Sequence, residues 1–244
     1  MSKIGVFDSG IGGLTVLDEL KKMLPKEDFI FYADSANNPY GEKTDEQLNG
    51  IVSNIVDFLI DKGCKIIVIA CNTATTRCIR YLREKYPDIV FIGTEPAVKL
   101  ACDDDYHVTL VMATPATIQS ERLQILINEN KKDLDTFYLV PCFGLANAIE
   151  VGDKEKQEEI VNNIYQVYKE AGIESIVLGC THYPHIKDLI SKYFKGVALL
   201  DGGLGVAKET KRQMEKHGLI TNKGSGDVEF IKTKWYLVFS LFSF

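Results

Sequence analysis

Two stretches of the chain repeat one pattern, and no other feature limits the possible fold as strongly. Each stretch starts at a glycine, continues through a short apolar run, and reaches a cysteine followed by a polar residue; the stretches are Gly63–Thr73 and Gly172–His182. An apolar run that ends in residues suited to a helix N-cap is typical of a buried strand followed by a helix. Cys71 and Cys180 are therefore expected at the carboxyl ends of strands, where open α/β sheets bind ligands.

Strand and helix patterns alternate along the chain. Apolar runs of strand length begin with Ile4–Phe7 and end with Val197–Leu200, and amphipathic helical patterns lie between most of them. Such alternation predicts parallel sheets with helices on both faces. Because the pattern restarts near residue 95, we expect an α/β protein of two pseudo-symmetric parallel-sheet domains, with the active site in the cleft between them.

The composition argues against several classes of function. The 244 residues are 45% hydrophobic, which is ordinary for a globular protein, and the formal charge is −6. With no Lys/Arg cluster, this charge argues against a nucleic-acid partner. The first residues enter a strand without a signal-peptide pattern, so a cytoplasmic location and reduced cysteines are expected. The six cysteines contain no CxxC pair, so no metal site is expected.

The C-terminal stretch Trp235–Phe244 is apolar and rich in aromatic residues. It is shorter than the roughly 20 residues that a helix needs to span a bilayer. We therefore expect a final strand or a surface tail there, and no membrane anchor.

A glycine-rich turn, Asp8–Gly13, follows the first strand. Such a turn presents backbone N–H groups to an anion at a helix N-terminus. Its glycine spacing differs from G-x-G-x-x-G and no P-loop lysine follows, so a tight turn is favoured over a dinucleotide site. Asp8 itself ends a buried strand, where a carboxylate costs stability unless it is paired or functional, and this makes it a candidate site residue.

The two cysteines of the repeated pattern differ in their neighbours. Cys71 precedes Asn72 and Thr73, which can cap a helix or bind a carboxylate. A thiol at a helix N-terminus also becomes more acidic. Cys180 is followed by His182, which can share a proton with it. The alternative interpretation is that both cysteines are small buried apolar residues and that the histidine is structural.

Other candidate residues have plainer interpretations. Pro39–Gly41 is typical of a turn. Glu150, shortly before a capped helix, is interpreted from the pattern alone as a solvated loop acid. The remaining cysteines lack a comparable polar setting and are interpreted as packing residues; they are Cys64, Cys78, Cys102 and Cys142.

The chain offers two mirrored thiols but no strong nucleotide motif, metal-ligand set or cofactor lysine. Moving a proton from one face of a carbon to the other needs a base on one side and an acid on the other. Two cysteines supply both if each is a thiolate in one direction and a thiol in the reverse. Fixed dipoles and a dry, closed site would stabilise the carbanion that forms.

Several motifs, taken together and in order, resemble the glutamate racemase family within the aspartate/glutamate racemase superfamily. They are Phe7–Leu14, Tyr32–Asp34 with Pro39–Gly41, Ala70–Ala74, Glu95–Ala97, Ala113–Thr117 and Gly179–Pro184. The resemblance implies cofactor-independent interconversion of L- and D-glutamate, with D-glutamate supplying peptidoglycan synthesis. It also implies a homodimer and two α/β domains, residues 96–204 and residues 1–95 completed by the returning chain at 205–244.

The resemblance further implies roles for single residues. Cys71 and Cys180 are the expected catalytic acid/bases. Asp8 is expected to support Cys71, while Glu150 and His182 support Cys180. The expected substrate contacts are Asp8, Ser9, Tyr40, Gly41, Asn72, Thr73, Thr114, Thr117, Thr181 and His182.

Other functions fit some of the same residues. A racemase of aspartate or another amino acid would use the same thiols, since the side chains that set substrate length lie away from them. A non-catalytic amino-acid binding protein would keep the fold, although binding alone needs no cysteine. A thiol hydrolase is disfavoured because it needs one nucleophile and not two.

Overall fold

A computed structural model describes residues 3–233 of the chain. This part of the chain forms two compact units: one contains the residues up to Thr94 and those from Gly203 onward, and the other is Glu95–Gly202. Each unit is built on one sheet in which every paired strand is parallel. The predicted architecture of two parallel-sheet α/β domains is therefore confirmed. The predicted strand or tail at Trp235–Phe244 lies outside the described residues.

The first unit opens with strands and helices in strict alternation. Their bounds are β1 Ile4–Asp8, α1 Leu14–Met23, β2 Phe29–Ala33, α2 Asp45–Asp61, β3 Ile66–Ile69, α3 Asn72–Lys85 and β4 Val90–Gly93, with a 3₁₀ turn at Tyr40–Glu42 before α2.

The second unit continues the alternation and contains more short helices. Its elements are α4 Val98–Asp103, β5 Val108–Ala113, α5 Pro115–Ile118, α6 Glu121–Asn130, β6 Thr136–Pro141, α7 Leu145–Glu150, α8 Lys154–Tyr168, β7 Ser175–Gly179, α9 Lys187–Tyr193 and β8 Ala198–Leu200, with a 3₁₀ turn at Tyr183–Ile186 before α9. The chain then returns to the first unit with α10 Gly203–Lys216 and β9 Val228–Lys232.

The central strands are apolar on both faces because helices cover both faces of each sheet. In β1, Ile4 and Val6 belong to the core formed with α1 and α10, whereas Phe7 belongs to the core formed with α2 and α3. In β7 of the second unit, Ile176 and Val177 likewise join two different cores. Side chains that alternate in this way fix the register of each strand.

Strand pairing brings the polar residues that follow the strands to one edge of each sheet. The first sheet has the order β4-β3-β1-β2-β9, and the second has the order β6-β5-β7-β8. In the first, Phe7 pairs with Ile69, and in the second, Ala113 pairs with Gly179. Because the strands are parallel, the residues immediately after these positions lie along the carboxyl edge of each sheet.

The start of α2 carries a capping box that the pattern Thr44-x-x-Gln47 predicts and the structure confirms. The Thr44 hydroxyl accepts from the Gln47 N–H at 3.2 Å, and the Gln47 side chain accepts from the Thr44 N–H at 3.0 Å. Two N–H groups that would lack helical partners are thereby satisfied.

Replacing Thr44 with alanine should lower the free energy of unfolding by about 1 kcal/mol. The reason is that Gln47 loses the acceptor for its N–H. Urea denaturation measures the change, and Asn54→Ala at an exposed position inside α2 is the control. Asn54→Ala should not destabilise, because alanine is the better helix former. Equal stabilities of Thr44→Ala and the parent would contradict the role of the cap.

None of the helices within residues 3–233 combines the length and the apolar character that crossing a membrane requires.

Candidate active site

Cys71 lies where the sequence predicts, after β3 and at the N-terminus of α3. It is the N-cap residue of α3, and its carbonyl accepts from the Thr75 N–H at 2.8 Å. The side chain is 6% exposed, and the Sγ–H donates to the Ser9 hydroxyl at 3.8 Å. The positive end of the α3 dipole favours the thiolate form of a cysteine at this position.

Two further residues that are predicted to contact a ligand lie in the first turn of α3. Asn72 and Thr73 are both buried, and α3 is capped by Cys71 and not by either of them. Among the described residues, the buried Asn72 Oδ1 has no hydrogen-bond partner. A buried acceptor of this kind costs free energy until a donor reaches it, which suits a residue that binds a ligand.

Asp8 ends β1 and is completely buried. Its Oδ2 accepts from the Gly13 N–H at 2.6 Å, so the carboxylate holds the glycine-rich turn at the start of α1. This contact satisfies one oxygen of the buried carboxyl group at the end of β1. The close packing of the turn explains why residue 13 is glycine. A Cβ at that position would lie 2.8 Å from the Asp8 Cβ and 3.0 Å from the Ala70 Cβ.

Replacing Gly13 with alanine should therefore destabilise the fold by about 1–3 kcal/mol, the usual cost of overpacking, and it should displace Asp8. Gly50→Ala is the matched control because a Cβ at the exposed Gly50 in α2 meets no atom within 4 Å. That control should gain about 1 kcal/mol, since alanine is the better helix former. Denaturation of both variants measures the difference, and a Gly13→Ala protein as stable as the parent would contradict the packing.

Tyr40 and Gly41 lie in the 3₁₀ turn before α2 and differ in exposure. The Tyr40 side chain is buried and its hydroxyl donates to Asp34 Oδ2 at 2.8 Å, whereas Gly41 is exposed. Burial, followed by the nearby Asp34 carboxylate, raises the pKa of Tyr40 well above its usual value. The Arg77 guanidinium donates to the carbonyl oxygens of Tyr40 and Lys43, at 3.2 and 2.8 Å. The turn is therefore anchored from two sides.

Cys180 also lies at the predicted strand end, directly after β7, but its surroundings differ from the prediction. A turn and the 3₁₀ turn Tyr183–Ile186 separate Cys180 from α9, so this thiol does not cap a helix. It is 6% exposed, and its Sγ lies 3.8 Å from His182 Nδ1. The histidine is nearly buried, and its Nε2 lies 2.8 Å from Glu150 Oε2. Thiol, imidazole and carboxylate thus form one continuous chain of contacts.

The interpretation of Glu150 as a solvated loop acid is wrong. Glu150 is the last residue of α7, and its side chain is only 8% exposed. The helix starts after Gly144, whose positive φ of 73° suits glycine, and buries Leu145 and Ile149. Because Asp153 caps α8, the short connection holds Glu150 against His182.

The predicted threonines of the second unit lie on the same sheet edge as Cys180. Thr114 follows β5 and caps α5, its hydroxyl accepting from the Thr117 N–H at 3.3 Å. The two threonine hydroxyls lie 3.0 Å apart, and Thr117 is buried. Thr181, which follows Cys180, is buried as well.

The other cysteines are buried free thiols. Burial raises the pKa values of Cys64, Cys78 and Cys142 to about 12, and it also raises the pKa of Cys102. These thiols therefore stay protonated near neutral pH, which agrees with their interpretation as packing residues. Within residues 3–233, no group of three His, Cys, Asp or Glu side chains is arranged to hold a metal ion.

Sequence reasoning did not select Asp34 as a site residue. It follows β2, is nearly buried, and binds the Tyr40 hydroxyl. Its position after a buried strand, next to the strand that ends in Asp8, is the signal that could have identified it.

Comparisons with known proteins agree with this arrangement. The family model described as Asp/Glu/Hydantoin racemase matches residues 4–231. A glutamate racemase from Clostridium perfringens is 42% identical over 237 residues, which are 94% of this chain and 90% of that protein. The solved structure of glutamate racemase from Francisella tularensis in complex with D-glutamate has a TM-score of 0.80 at 32% identity and covers 96% of this chain and 88% of that one. The solved structure of glutamate racemase from Thermus thermophilus has a TM-score of 0.77 at 33% identity. It covers 96% of this chain and 88% of that one.

The fold, the family model and these relatives together define an amino-acid racemase, which is an isomerase. The chain belongs to the Asp/Glu/hydantoin racemase family, so the family membership expected from its motifs is confirmed.

Proposed function

We propose that this chain interconverts L- and D-glutamate without a cofactor, with Cys71 and Cys180 as the two acid/bases. One observation carries the proposal: each sheet has one of these cysteines at its carboxyl edge, nearly buried and 3.8 Å from a polar partner. Relatives named glutamate racemase, at 42% identity over most of the chain, support glutamate as the substrate.

The proposed reaction is a proton exchange at the two faces of Cα. For one enantiomer, the Cys71 thiolate removes the Cα proton and becomes a thiol. The Cys180 thiol delivers its proton to the opposite face, so that a new Cα–H bond forms and Cys180 becomes a thiolate. The other enantiomer reacts with the two roles exchanged. Each thiol therefore acts as acid in one direction and as base in the other.

His182 and Glu150 are proposed to control the protonation of Cys180. A carboxylate can only accept, so Glu150 fixes the proton on Nε2 and leaves Nδ1 as the acceptor that faces the thiol. When His182 takes the thiol proton, Glu150 stabilises the resulting imidazolium. This arrangement gives the Cys180 proton an acceptor without a helix N-terminus.

Cys71 is proposed to be tuned in a different way. It lies at the α3 N-terminus, whose dipole favours a thiolate, and beside the Ser9 hydroxyl, which can reorient to donate to the sulfur once the proton has left. Asp8 is proposed to support this cysteine by holding the turn that carries Ser9, through its bond to Gly13. The two thiols are thus proposed to be activated by unlike surroundings.

The proposed substrate contacts come from the polar residues at the two sheet edges. Asn72 Oδ1 is a buried acceptor suited to the substrate ammonium group. The Tyr40 hydroxyl donates to Asp34, so this residue is proposed to contribute through the main chain that it shares with the exposed Gly41. The remaining proposed contacts are Asp8, Ser9, Thr73, Thr114, Thr117, Thr181 and His182.

We also propose a cytoplasmic homodimer whose D-glutamate enters peptidoglycan synthesis. The family membership supports this setting. Light scattering of the purified protein tests the dimer, and a mass equal to one chain would contradict it.

Incubation of the purified protein with L-glutamate, followed by chiral chromatography, tests the substrate. We expect D-glutamate to accumulate until both enantiomers are equal, because mirror-image molecules have equal free energies. A parallel series with L-aspartate and other L-amino acids tests the alternative substrates. Faster conversion of L-aspartate would support the related racemase, and glutamate affinity in calorimetry without any D-glutamate would support a binding protein.

A further inference from the structure

Asp34 is a buried carboxylate that joins two distant parts of the first unit. It is 1% exposed and accepts from the Tyr40 hydroxyl at 2.8 Å. The Asn37 side chain donates to both of its oxygens, at 3.0 and 2.9 Å. The Thr233 hydroxyl, which lies just beyond β9, donates to Asp34 Oδ1 at 3.0 Å. The carboxylate therefore connects the turn that carries Tyr40 with the returning chain.

Thr233 is bound to this region through its side chain and its main chain. Its hydroxyl donates to Asp34 and also accepts from the Ala36 N–H at 3.0 Å. Its backbone N–H donates to the Ala33 carbonyl at 3.0 Å, which extends the pairing of β9 with β2 by one residue. A single residue of the returning chain thus contacts the last residue of β2 and the segment that follows it, at three points in all.

The returning chain has its own anchors, which are independent of the Tyr40 turn. The buried Glu27 carboxylate accepts from the Thr221 N–H and from the Thr221 hydroxyl, both at 2.8 Å. Within β9, Glu229 forms ion pairs with Lys3 and Lys62 at 2.9 and 2.8 Å. Their side-chain hydrogen bonds, Lys62 first, lower the pKa of Glu229 to about 2. The place of Thr233 is therefore set by the strand that precedes it and not by the Tyr40 turn, to which it is linked through Asp34.

We propose that Thr233 is a positioning residue for the substrate-binding turn Pro39–Gly41 and acts through Asp34. The proposal rests on the function proposed above, in which Tyr40 and Gly41 contact the amino acid. A buried carboxylate needs its full set of donors, because each donor lost leaves charge without compensation. Without the Thr233 hydroxyl, the Asp34 carboxylate rotates toward its remaining donors. The Tyr40 hydroxyl, which is bound to this carboxylate, moves with it.

Thr233→Val tests the proposal, because it keeps the shape of the side chain and removes the hydroxyl. We expect KM for glutamate to rise about tenfold, the equivalent of one good hydrogen bond, with kcat within about twofold. Thr233→Ser restores the hydroxyl and should restore KM. The matched control is Thr221→Val, which removes a bond to the buried carboxylate of Glu27 in the same returning chain. This control should lower stability and leave KM unchanged.

A double-mutant cycle with Tyr40→Phe separates positioning from general loosening. If the two hydroxyls act through one carboxylate, the effects of Thr233→Val and Tyr40→Phe are non-additive, both in KM and in the free energy of unfolding. Additive effects, or an equal rise of KM in Thr221→Val, would overturn the proposal.

Failure of the inference and failure of the proposed function give different results. If the parent protein racemises glutamate and Thr233→Val has the parent KM, the inference alone is wrong. If the parent makes no D-glutamate, the proposed function is wrong, and the unfolding cycle still decides whether Thr233 and Tyr40 are coupled.

Discussion

Replacing Cys71 or Cys180 with alanine is expected to lower kcat/KM for glutamate by about 10⁴-fold or more, the upper range for loss of a general acid/base. Each variant lacks either the base that removes the Cα proton or the acid that replaces it. Because the equilibrium constant of a racemisation is one by symmetry, kcat/KM must fall by the same factor in both directions. Chiral chromatography with each enantiomer measures both values.

Cys78→Ala is the matched control for this prediction. Cys78 lies in α3, the helix that Cys71 caps, and burial raises its thiol pKa to about 12. Its loss should lower stability but leave kcat/KM of the folded protein within a few-fold of the parent. A Cys71→Ala or Cys180→Ala protein that keeps a tenth of the parent activity would contradict the two-base role.

The single variants should also differ from each other in isotope exchange. Each keeps one thiol, which can still remove the Cα proton of the enantiomer it faces and return a deuteron from deuterated water to the same face. The Cys71→Ala and Cys180→Ala proteins should therefore exchange the Cα–H of opposite enantiomers, as followed by NMR. Exchange of the same enantiomer by both variants would contradict thiols on opposite faces.

Replacing Glu150 with glutamine is expected to lower kcat/KM by about 10²-fold, the lower range for loss of acid/base support. The amide oxygen can still accept from His182 Nε2, so the shape of the contact is kept. The negative charge that stabilises an imidazolium is lost, and His182 therefore becomes a weaker base toward Cys180.

A second measurement shows whether this effect acts through Cys180. Alkylation by iodoacetamide, followed for each cysteine by mass spectrometry, should slow at Cys180 in Glu150→Gln and stay unchanged at Cys71. Glu159→Gln is the control, because Glu159 is an exposed carboxylate of α8 paired with Lys156. Equal slowing at both cysteines would indicate a general structural effect and contradict the proposed pairing.

Much of the fold follows from local patterns in the sequence. The apolar runs before Cys71 and Cys180 identify buried strands, and their ends locate the two thiols. The capping patterns at Thr44 and Asp153 identify the starts of α2 and α8. These features depend on residues close together in the chain, so one sequence suffices to find them.

The parts that the sequence pattern misses depend on distant contacts or weak patterns. Glu150 resembles a loop acid because α7 has only six residues, and its role is visible only once His182 packs against it. Strand β9 is not evident from the sequence pattern, because Glu229 and Lys232 interrupt its apolar residues. Its pairing with β2 and the ion pairs of Glu229 hold this segment as a strand. The contact of Thr233 with Asp34 joins residues far apart in sequence, which no local pattern reports.

The most direct test of the two-thiol account is the racemisation of L-glutamate in deuterated water, stopped at low conversion. The account predicts that the D-glutamate formed carries deuterium at Cα while the recovered L-glutamate does not, because the thiol that delivers the proton has exchanged with solvent and faces only the product side. Product that keeps the original hydrogen, or label that appears equally in the recovered L-glutamate, would show that one group serves both faces and would contradict the account.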